Sequence, residues 1–361
     1  MATLLEYKCP NCGGALSFDS HIQKMNCPYC DSELEMDALL ELDAALGQQQ
    51  DDRMDWDTGP QSAWEEGEQE AFNSYICQSC GGEIICDENT AATACPYCDN
   101  PVVLSGRLSG SLRPDLVIPF QLDKDAAKQA LKKHVSKRPL LPKVFKDENH
   151  IQQIKGVYVP FWLFDADADG DARYRATRVR VWSDSNYTYT KTSHYSVRRA
   201  GRLGFSGVPV DGSTKMADNL MESIEPYDIS KGVDFQTAYL AGFLADKYDV
   251  TAESSIPRAN ERIRNSTCEA LSRTVTGYST VTPVNSSVKL ENNRVRYALL
   301  PVWILNTRYR EKDYLFAMNG QTGKLVGNLP IDWSRFFAFW GGIAGTVGIL
   351  YWFFTKLAGL I

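Results

Sequence analysis

Eight of the chain's ten cysteines fall into two sets with one spacing. Cys9, Cys12, Cys27 and Cys30 occupy CPNC and CPYC, whereas Cys77, Cys80, Cys95 and Cys98 occupy CQSC and CPYC. Fourteen residues separate the inner pair in both sets, and a shift of 68 positions superimposes all four cysteines. The same shift carries Gly13, Gly14, Pro28 and Tyr29 onto Gly81, Gly82, Pro96 and Tyr97. Each C-x2-C turn points two thiolates at one ion, with glycine letting the backbone curl around the sulfurs, so the frame predicts two tetrahedral zinc ribbons and two zinc ions per chain. A rubredoxin-like iron knuckle would use the same ligands. About thirty residues cannot bury enough core to hold a fold without such a staple. Four disulfides are the alternative, but MATLLEYKCP lacks a charged segment leading into an apolar one, so no signal peptide is expected and the cysteines read as reduced.

The remaining reactive side chains are sparse. Cys86 falls on Phe18 under the shift and reads as a small buried hydrophobe, and Cys268 sits in a predicted helix with no His or Asp aligned to activate it. His21, His134, His150 and His194 are scattered, and His21 falls on Asn89 rather than on a repeated ligand. GQTGK at 320–324 lacks the spacing of a phosphate loop and reads as a hairpin turn. Asp165, Asp167, Asp169 and Gly170 mimic the start of a calcium loop, but its twelfth position is Ala176 and its flanks read as strands. No catalytic residue and no enzyme activity is expected. Arg173, Arg175, Arg178, Arg180, Arg198, Arg199 and Arg202 interleave with Tyr174, Trp182, Tyr187, Tyr189 and Tyr195. Such a surface suits nucleic acid or lipid headgroups, and equally an exposed sheet face with cross-strand pairs.

These residues imply an α+β protein in five parts. Zinc ribbon 1 spans 1–35, an acidic linker 36–72, zinc ribbon 2 73–104, an α+β body of two related units with antiparallel sheets 105–330, and one C-terminal transmembrane helix 331–361. The total charge is −7. Between Asp31 and Asn73, fourteen acids against Arg53 give −13, which leaves +6 for the rest. That acidic stretch, with Gln48 to Gln50, Gly59 and Pro60, reads as a solvated linker, in which Trp56 and Trp64 suggest docking or a local apolar cluster. In the body, LVIPFQ is a predicted strand, Asp123 caps a helix over DKDAAKQALKKHV, and 251–273 is a longer helix. VYVPFWLF at 157–164 resembles ALLPVWIL at 298–305, and proline inside both strands suggests sheet edges or bulges. From Phe336 to Phe354 the chain carries no charge, is bracketed by Arg335 and Lys356, and has aromatic residues near both ends. That pattern predicts a single-pass anchor in the cell membrane with the N-terminal side cytoplasmic. Gly341 with Gly345, and Ala344 with Gly348, suggest homo-oligomer contacts through the anchor.

The sequence resembles a bacterial family of membrane-anchored double-zinc-ribbon proteins, through CPNCGG/CPYC, CQSCGG/CPYC, VYVPFWLFDADADGDARYRATR and LLPVWILNTRYREKDYLFAMNGQTGKLVGNLP. Members are encoded beside PspA-like and SPFH (flotillin-like) proteins, and relatives are often labelled primosomal helicase or replication factor, although no helicase motor is present here. The resemblance implies an adaptor that recruits an SPFH-type partner to the membrane in envelope stress, with a second membrane protein as a further partner. A tethered nucleic-acid binder is the competing class, which the −13 segment beside the ribbons opposes. Elemental analysis of purified protein should return close to two zinc equivalents per chain, and a value near one would remove one of the two sites.

Overall fold

The computed structural model describes residues 7–47, 51–59, 62–87, 90, 92–108, 111–327 and 329–358, with the side chains of Asn149, Phe353 and 356–358 excepted. Gln48 to Gln50, Pro60 and Asn89 lie outside the described residues. In chain order the elements are β1 (Ser17–Asp19), β2 (Lys24–Asn26), β3 (Glu33–Leu34), α1 (Met36–Gly47), β4 (Phe72–Cys77), β5 (Glu83–Asp87), β6 (Val102–Arg107), β7 (Leu116–Val117), α2 (Lys124–Ser136) and α3 (Glu148–Ile151). They continue with β8 (Lys155–Ser183), β9 (Thr188–Asp211), α4 (Asp218–Ser223), β10 (Val233–Asp234), β11 (Leu244–Asp246), α5 (Ala252–Arg273), β12 (Thr280–Tyr309), β13 (Lys312–Asn319), β14 (Leu325–Gly327) and α6 (Trp333–Ala358). The chain divides into two compact units. One comprises Met1–Asp57, Phe164–Val208 and Pro257–Arg294, and the other Thr58–Leu163, Pro209–Ile256 and Val295–Ile361.

In the first unit, DADADGDARYRATR on β8 is a period-two pattern with two uses. Ala168, Ala172 and Ala176 are buried toward α5, whose Ala259, Ile263 and Leu271 recur every fourth residue or eighth. Gly170 completes the small stripe, since a Cβ there would lie 2.6 Å from Thr267. The intervening acids face away and are spent locally. Asp169 pairs with Arg202 at 2.7 Å, Asp171 with Arg198, Asp167 accepts from Asn292 at 2.8 Å, and Asp165 accepts from the Gly207 N–H at 2.6 Å. A straight strand with its carboxylates already bonded has no calcium loop to offer. The acidic stretch is anchored here too: Arg53 exchanges backbone hydrogen bonds with Val288 and Leu290, and Trp56 donates to Asn260 at 2.7 Å while meeting Phe164 edge-on at 4.8 Å.

In the second unit the sheet is mixed, not antiparallel. Its strand order is β10-β7-β12-β8-β11-β5-β4-β6, with β13 on β12 and β14 on β13. β11 runs parallel to β8 (Leu244↔Val157, Ala245↔Tyr158), and β7 runs parallel to β12 (Leu116↔Ala298, Val117↔Leu299). Neither parallel pair is joined by a direct connection: β7 reaches β12 only after α2, β8, β9 and α5, and β8 reaches β11 only after β9 and α4. Pairing is crosswise: the strand that precedes α2 joins β12, and the strand that precedes α5 joins β8. The two Pro–Trp segments make matching contacts. Pro160 accepts from the Gly212 N–H at 2.9 Å and Pro301 from the Gly320 N–H at 2.8 Å. The Gly212 carbonyl accepts from Asp249 and Val250, and the Gly320 carbonyl from Gln121 and Leu122. The Trp162 indole then donates to Val250 at 2.9 Å, and the Trp303 indole to Leu122 at 3.1 Å.

Both proline-bearing strands lie in the middle of the sheet rather than at edges. The parallel ladders stop at Tyr158 and Leu299, short of Pro160 and Pro301, so neither ladder needs an N–H from the proline. Val157, Val159, Phe161 and Leu163 enter one core with Leu300, Val302 and Ile304, while α2 buries Ala127, Leu131 and Val135 against Trp303, Leu305 and Phe316. Asp123 caps α2 by accepting from the Ala126 N–H at 2.8 Å. Trp64 donates to the Ser111 carbonyl at 2.8 Å and meets Phe235 edge-on at 5.7 Å.

The C-terminal expectation is corrected. Residues 333–358 do form a helix, α6, but among the described residues no helix is long and apolar enough to cross a membrane. Absence of charge is not the same as apolarity: the run also contains Gly341, Gly342, Gly345, Gly348 and Thr346, which add little or no apolar side chain. The transmembrane part of the fold class and the single-pass, N-in location in the cell membrane are therefore not supported.

The crossed ties make a stability prediction. A Cβ on Gly320 would lie 2.7 Å from Phe120 and 2.9 Å from Pro301, whereas one on Gly212 would lie 3.2 Å from the Pro160 carbonyl oxygen. Gly320→Ala and Gly212→Ala should each cost about 1–3 kcal/mol, Gly320→Ala the more, as read by urea unfolding.

Candidate metal centres

Each cysteine set closes into one knot of sulfur. Cys9 and Cys30 Sγ are 3.6 Å apart and Cys12 and Cys27 Sγ 3.4 Å; the second set gives 3.5 Å for Cys77–Cys98 and 3.6 Å for Cys80–Cys95. All four sulfurs of a set lie within 4.8 Å of one another. A disulfide needs about 2.05 Å, so none is formed. Four sulfurs each about 2.3 Å from a central ion would be about 3.8 Å apart. Both sets thus have the spacing to hold a metal ion.

The backbone explains why the motif closes this way. Cys9 N–H reaches the Gly14 carbonyl at 2.7 Å and Gly13 N–H the Cys9 carbonyl at 2.8 Å; Cys77, Gly82 and Gly81 repeat this at 2.9 and 2.8 Å. Gly13 and Gly81 have φ of 77° and 70°, which a side chain would strain. The second turn of each set uses Asp31 and Asp99, also left-handed at φ 54° and 58°. Around the fourth cysteine the two sets exchange residue types. Asn11 donates to Ser32 at 2.7 Å in the first, and Asn100 donates to Ser79 at 3.1 Å in the second. Ser32 bonding draws the Cys30 thiol down to about 7. At Cys98, burial pushes upward, but hydrogen bonds from the Asn100 side chain and backbone prevail and bring it to about 7. One thiol in each set is therefore poised to ionise near neutrality, the form that binds metal. Cys86 is fully buried in the second unit's core, and Cys268 lies on α5, apart from both sets.

The two modules differ in what surrounds them. The second is built into the core: Cys77, Ile84, Cys86, Cys95 and Tyr97 pack with Val157, Val159 and Leu300. β5 pairs with β11, Lys247 bridges to Glu83 at 2.8 Å, and Lys155 reaches the Cys95 carbonyl at 3.3 Å and Asp99 at 3.0 Å. The first module keeps its surface. Tyr29 is 74% exposed where its counterpart Tyr97 is 7% exposed, and Phe18 and Ile22 are exposed as well. Its first turn meets the sheet of its own unit where His194 Nε2 approaches Asn11 Oδ1 at 2.7 Å.

Beneath Tyr97 lies a polar network that sequence reasoning missed. Ser213 donates to Asp246 Oδ2 at 2.5 Å and its N–H to Asp211 Oδ1 at 3.1 Å. Asp249 gathers the Thr214 N–H at 2.7 Å, the Thr214 hydroxyl at 2.6 Å and Lys215 at 3.2 Å. Asp211 Oδ2 is buried without a hydrogen-bond partner among the described residues, and the buried Tyr97 hydroxyl faces the Asp246 carboxyl. Burial pushes Asp211 up to about 8 and Asp246 up to about 7, the latter against the restraining Ser213 hydroxyl. The one sequence signal was an aspartate closing the apolar strand LAD. The basic–aromatic run is by contrast largely occupied: Arg198 and Arg202 hold the β8 acids, Arg173 bonds the Ala45 carbonyl, and Arg178 bonds Gly277 while lying over Tyr195 and Tyr278.

Over 342 residues the chain is 36% identical to the uncharacterized protein YdjG of Bacillus subtilis (strain 168), covering 95% of each chain. No protein-family model matches the chain. No solved structure matches it.

The buried acids predict a pH dependence with a definite sign. In the folded chain both stay protonated above the ordinary value of 3.8, so the folded state binds more protons than the unfolded one up to about pH 8. Their contribution is complete below that ordinary value and is lost as pH rises through the folded values. Asp246→Asn should therefore gain stability over the unaltered chain as pH rises from about 5 to about 8, by on the order of 1–3 kcal/mol in urea unfolding. Metal linkage is common to both proteins and cancels in the difference.

Proposed function

The chain belongs to the family of Bacillus subtilis YdjG, and we propose that it is a zinc-binding, non-enzymatic adaptor whose first cysteine module docks a protein partner. In this reading each set of four thiolates holds one zinc ion, two per chain. Cys77, Cys80, Cys95 and Cys98 hold the structural ion of the second unit. Cys9, Cys12, Cys27 and Cys30 hold the ion that shapes the docking surface.

The observation that carries the proposal is the contrast between Tyr29 and Tyr97 at one motif position. A module that serves only to staple a core buries its tyrosine, as the second does. The first leaves Phe18, Ile22 and Tyr29 in solvent on a rigid frame, which is how a recognition surface with low ordering cost is made. Tyrosine is among the residue types enriched at binding hot spots. The partner implied by the family resemblance is an SPFH-type protein, whose assembly into oligomers would reward repeated weak docking. Against a nucleic-acid role stand the internal pairing of Arg198 and Arg202 and the acids that flank the first module.

The test is direct binding of the purified zinc-loaded chain to a purified SPFH-type protein. Tyr29→Ala should weaken binding at least tenfold with two zinc equivalents retained, which corresponds to about 1.4 kcal/mol. Cys9→Ser should abolish binding and remove one zinc equivalent. No binding by the unaltered chain, or unchanged binding by Tyr29→Ala, would defeat the docking proposal. Tight, salt-sensitive binding of single-stranded DNA instead would favour the competing class.

A further inference from the structure

We propose that the first unit contains a binding site for a small phosphate group, in a cleft between the Cys9–Cys12 turn and the outward face of the β8, β9 and β12 strands. The cleft encloses about 580 Å³ and is lined by Asn11, Arg175, Thr192, His194, Thr280 and Thr282 among others. That volume is within the range of small-molecule pockets.

Arg175 supplies the charge. Its neighbours on the same strand face are occupied: Asp171 by Arg198, Arg173 by the Ala45 carbonyl, and Thr177 by the Thr280 hydroxyl at 2.5 Å. The Arg175 guanidinium has no hydrogen bond or ion pair among the described residues, and its Nε is shielded from solvent. A shielded guanidinium N–H without an acceptor is unfavourable, and an oxyanion presenting two oxygens is the ligand that its planar fork matches. Thr192 and Thr282 add hydroxyl donors on the cleft wall.

His194 supplies selectivity. Asn11 Nδ2 donates to Ser32, which turns Asn11 Oδ1 toward His194 Nε2 at 2.7 Å. His194 must therefore donate from Nε2, which leaves Nδ1 as a lone-pair acceptor. That Nδ1 is buried and unpaired. Burial and the charge of Arg175 also push the imidazole below its ordinary value, which favours the neutral tautomer. The cleft thus offers donors for an anion, and a small shift of the imidazole would open one acceptor, Nδ1, that needs a proton from the ligand. Hydrogenphosphate and phosphate monoesters with a neighbouring hydroxyl carry such a proton, and sulfate at pH 8 does not. Glu35 and Glu41 line the adjoining cleft, which shares Pro10, Thr192 and His194. Their charge opposes extended polyanions and limits the ligand to a small one.

The experiment is calorimetric titration of the full zinc-loaded chain at pH 8 with sodium phosphate, glycerol 3-phosphate and sodium sulfate. Saturable binding of phosphate, or of glycerol 3-phosphate, at least tenfold tighter than sulfate is expected, and the tighter of the two identifies free phosphate or a monoester as the source. Arg175→Gln should weaken that binding at least tenfold, while Arg199→Gln, on β9 but outside the cleft lining, should leave it unchanged. Should Arg175→Gln fail to fold, the Thr192→Val and Thr282→Val pair should weaken binding at least threefold with two zinc equivalents retained. No saturable phosphate binding by the unaltered chain, equal binding of sulfate, or unchanged binding in both the Arg175 and the threonine variants would overturn the proposal.

Discussion

Two parallel strand pairs, β7 on β12 and β11 on β8, are the constraint on which the second unit depends. Each short strand contributes only two residues to its ladder, too little to hold by itself. The tie is completed outside the ladder. One glycine carbonyl accepts two N–H groups from the chain leaving each short strand, and one tryptophan indole closes the next carbonyl. Because the exchange is crosswise, neither long strand can satisfy its tryptophan using the short strand that precedes it in sequence. Both halves of the unit must therefore form together. β11 in turn pairs with β5 of the second cysteine module, so that module inherits its fixed place from the crossed arrangement.

The same sulfur frame serves two ends within one chain. Local geometry is nearly identical: the knuckle hydrogen bonds, the left-handed glycines and the Asn–Ser pair recur. What differs is burial. The second module's tyrosine faces a buried aspartate, and Lys155 and Lys247 tie its turns down, so its sulfur cluster is continuous with a large apolar core. The first module has an exposed aromatic rim and meets its sheet beside a cleft with one unneutralised guanidinium. A rigid frame with a free surface is suited to recognition, and the same frame under a sheet is suited to stability.

The charged residues follow a similar division. On β8 the acids that look like a metal loop in sequence are neutralised one by one by arginines and amides of neighbouring strands. Two of the arginines that suggested nucleic-acid binding, Arg198 and Arg202, are consumed in the process, which is the cross-strand pairing expected of an exposed sheet face, and Arg173 and Arg178 bond backbone carbonyls. Among the described residues, the ionisable groups left with a buried unpaired atom include Asp211 and Asp246 under Tyr97, and Arg175 with His194 in the first unit.

Features that depend on short-range geometry are legible in the residues alone. The C-x2-C spacing dictates which four sulfurs meet, because knuckle hydrogen bonds act within six residues. The aspartate cap of α2, the four-residue stripe of α5 and the turn after Asn319 are likewise local. The C-terminal run lacks charge, yet among the described residues no helix is long and apolar enough to cross a membrane, and the run's glycines and indoles are legible in the same letters. Which cysteine module is buried is set by the three-dimensional fold, since Tyr29 and Tyr97 sit in the same CPYC motif. It alone decided that proline strands lie at the sheet centre, that Asp211 and Asp246 share one buried network, and that Arg175 and His194 line one cleft with Asn11. The physical reason is common to all of these. Burial, and with it the cost of an unpaired polar group, is set by chain segments tens to hundreds of residues away, and no spacing along the chain encodes that.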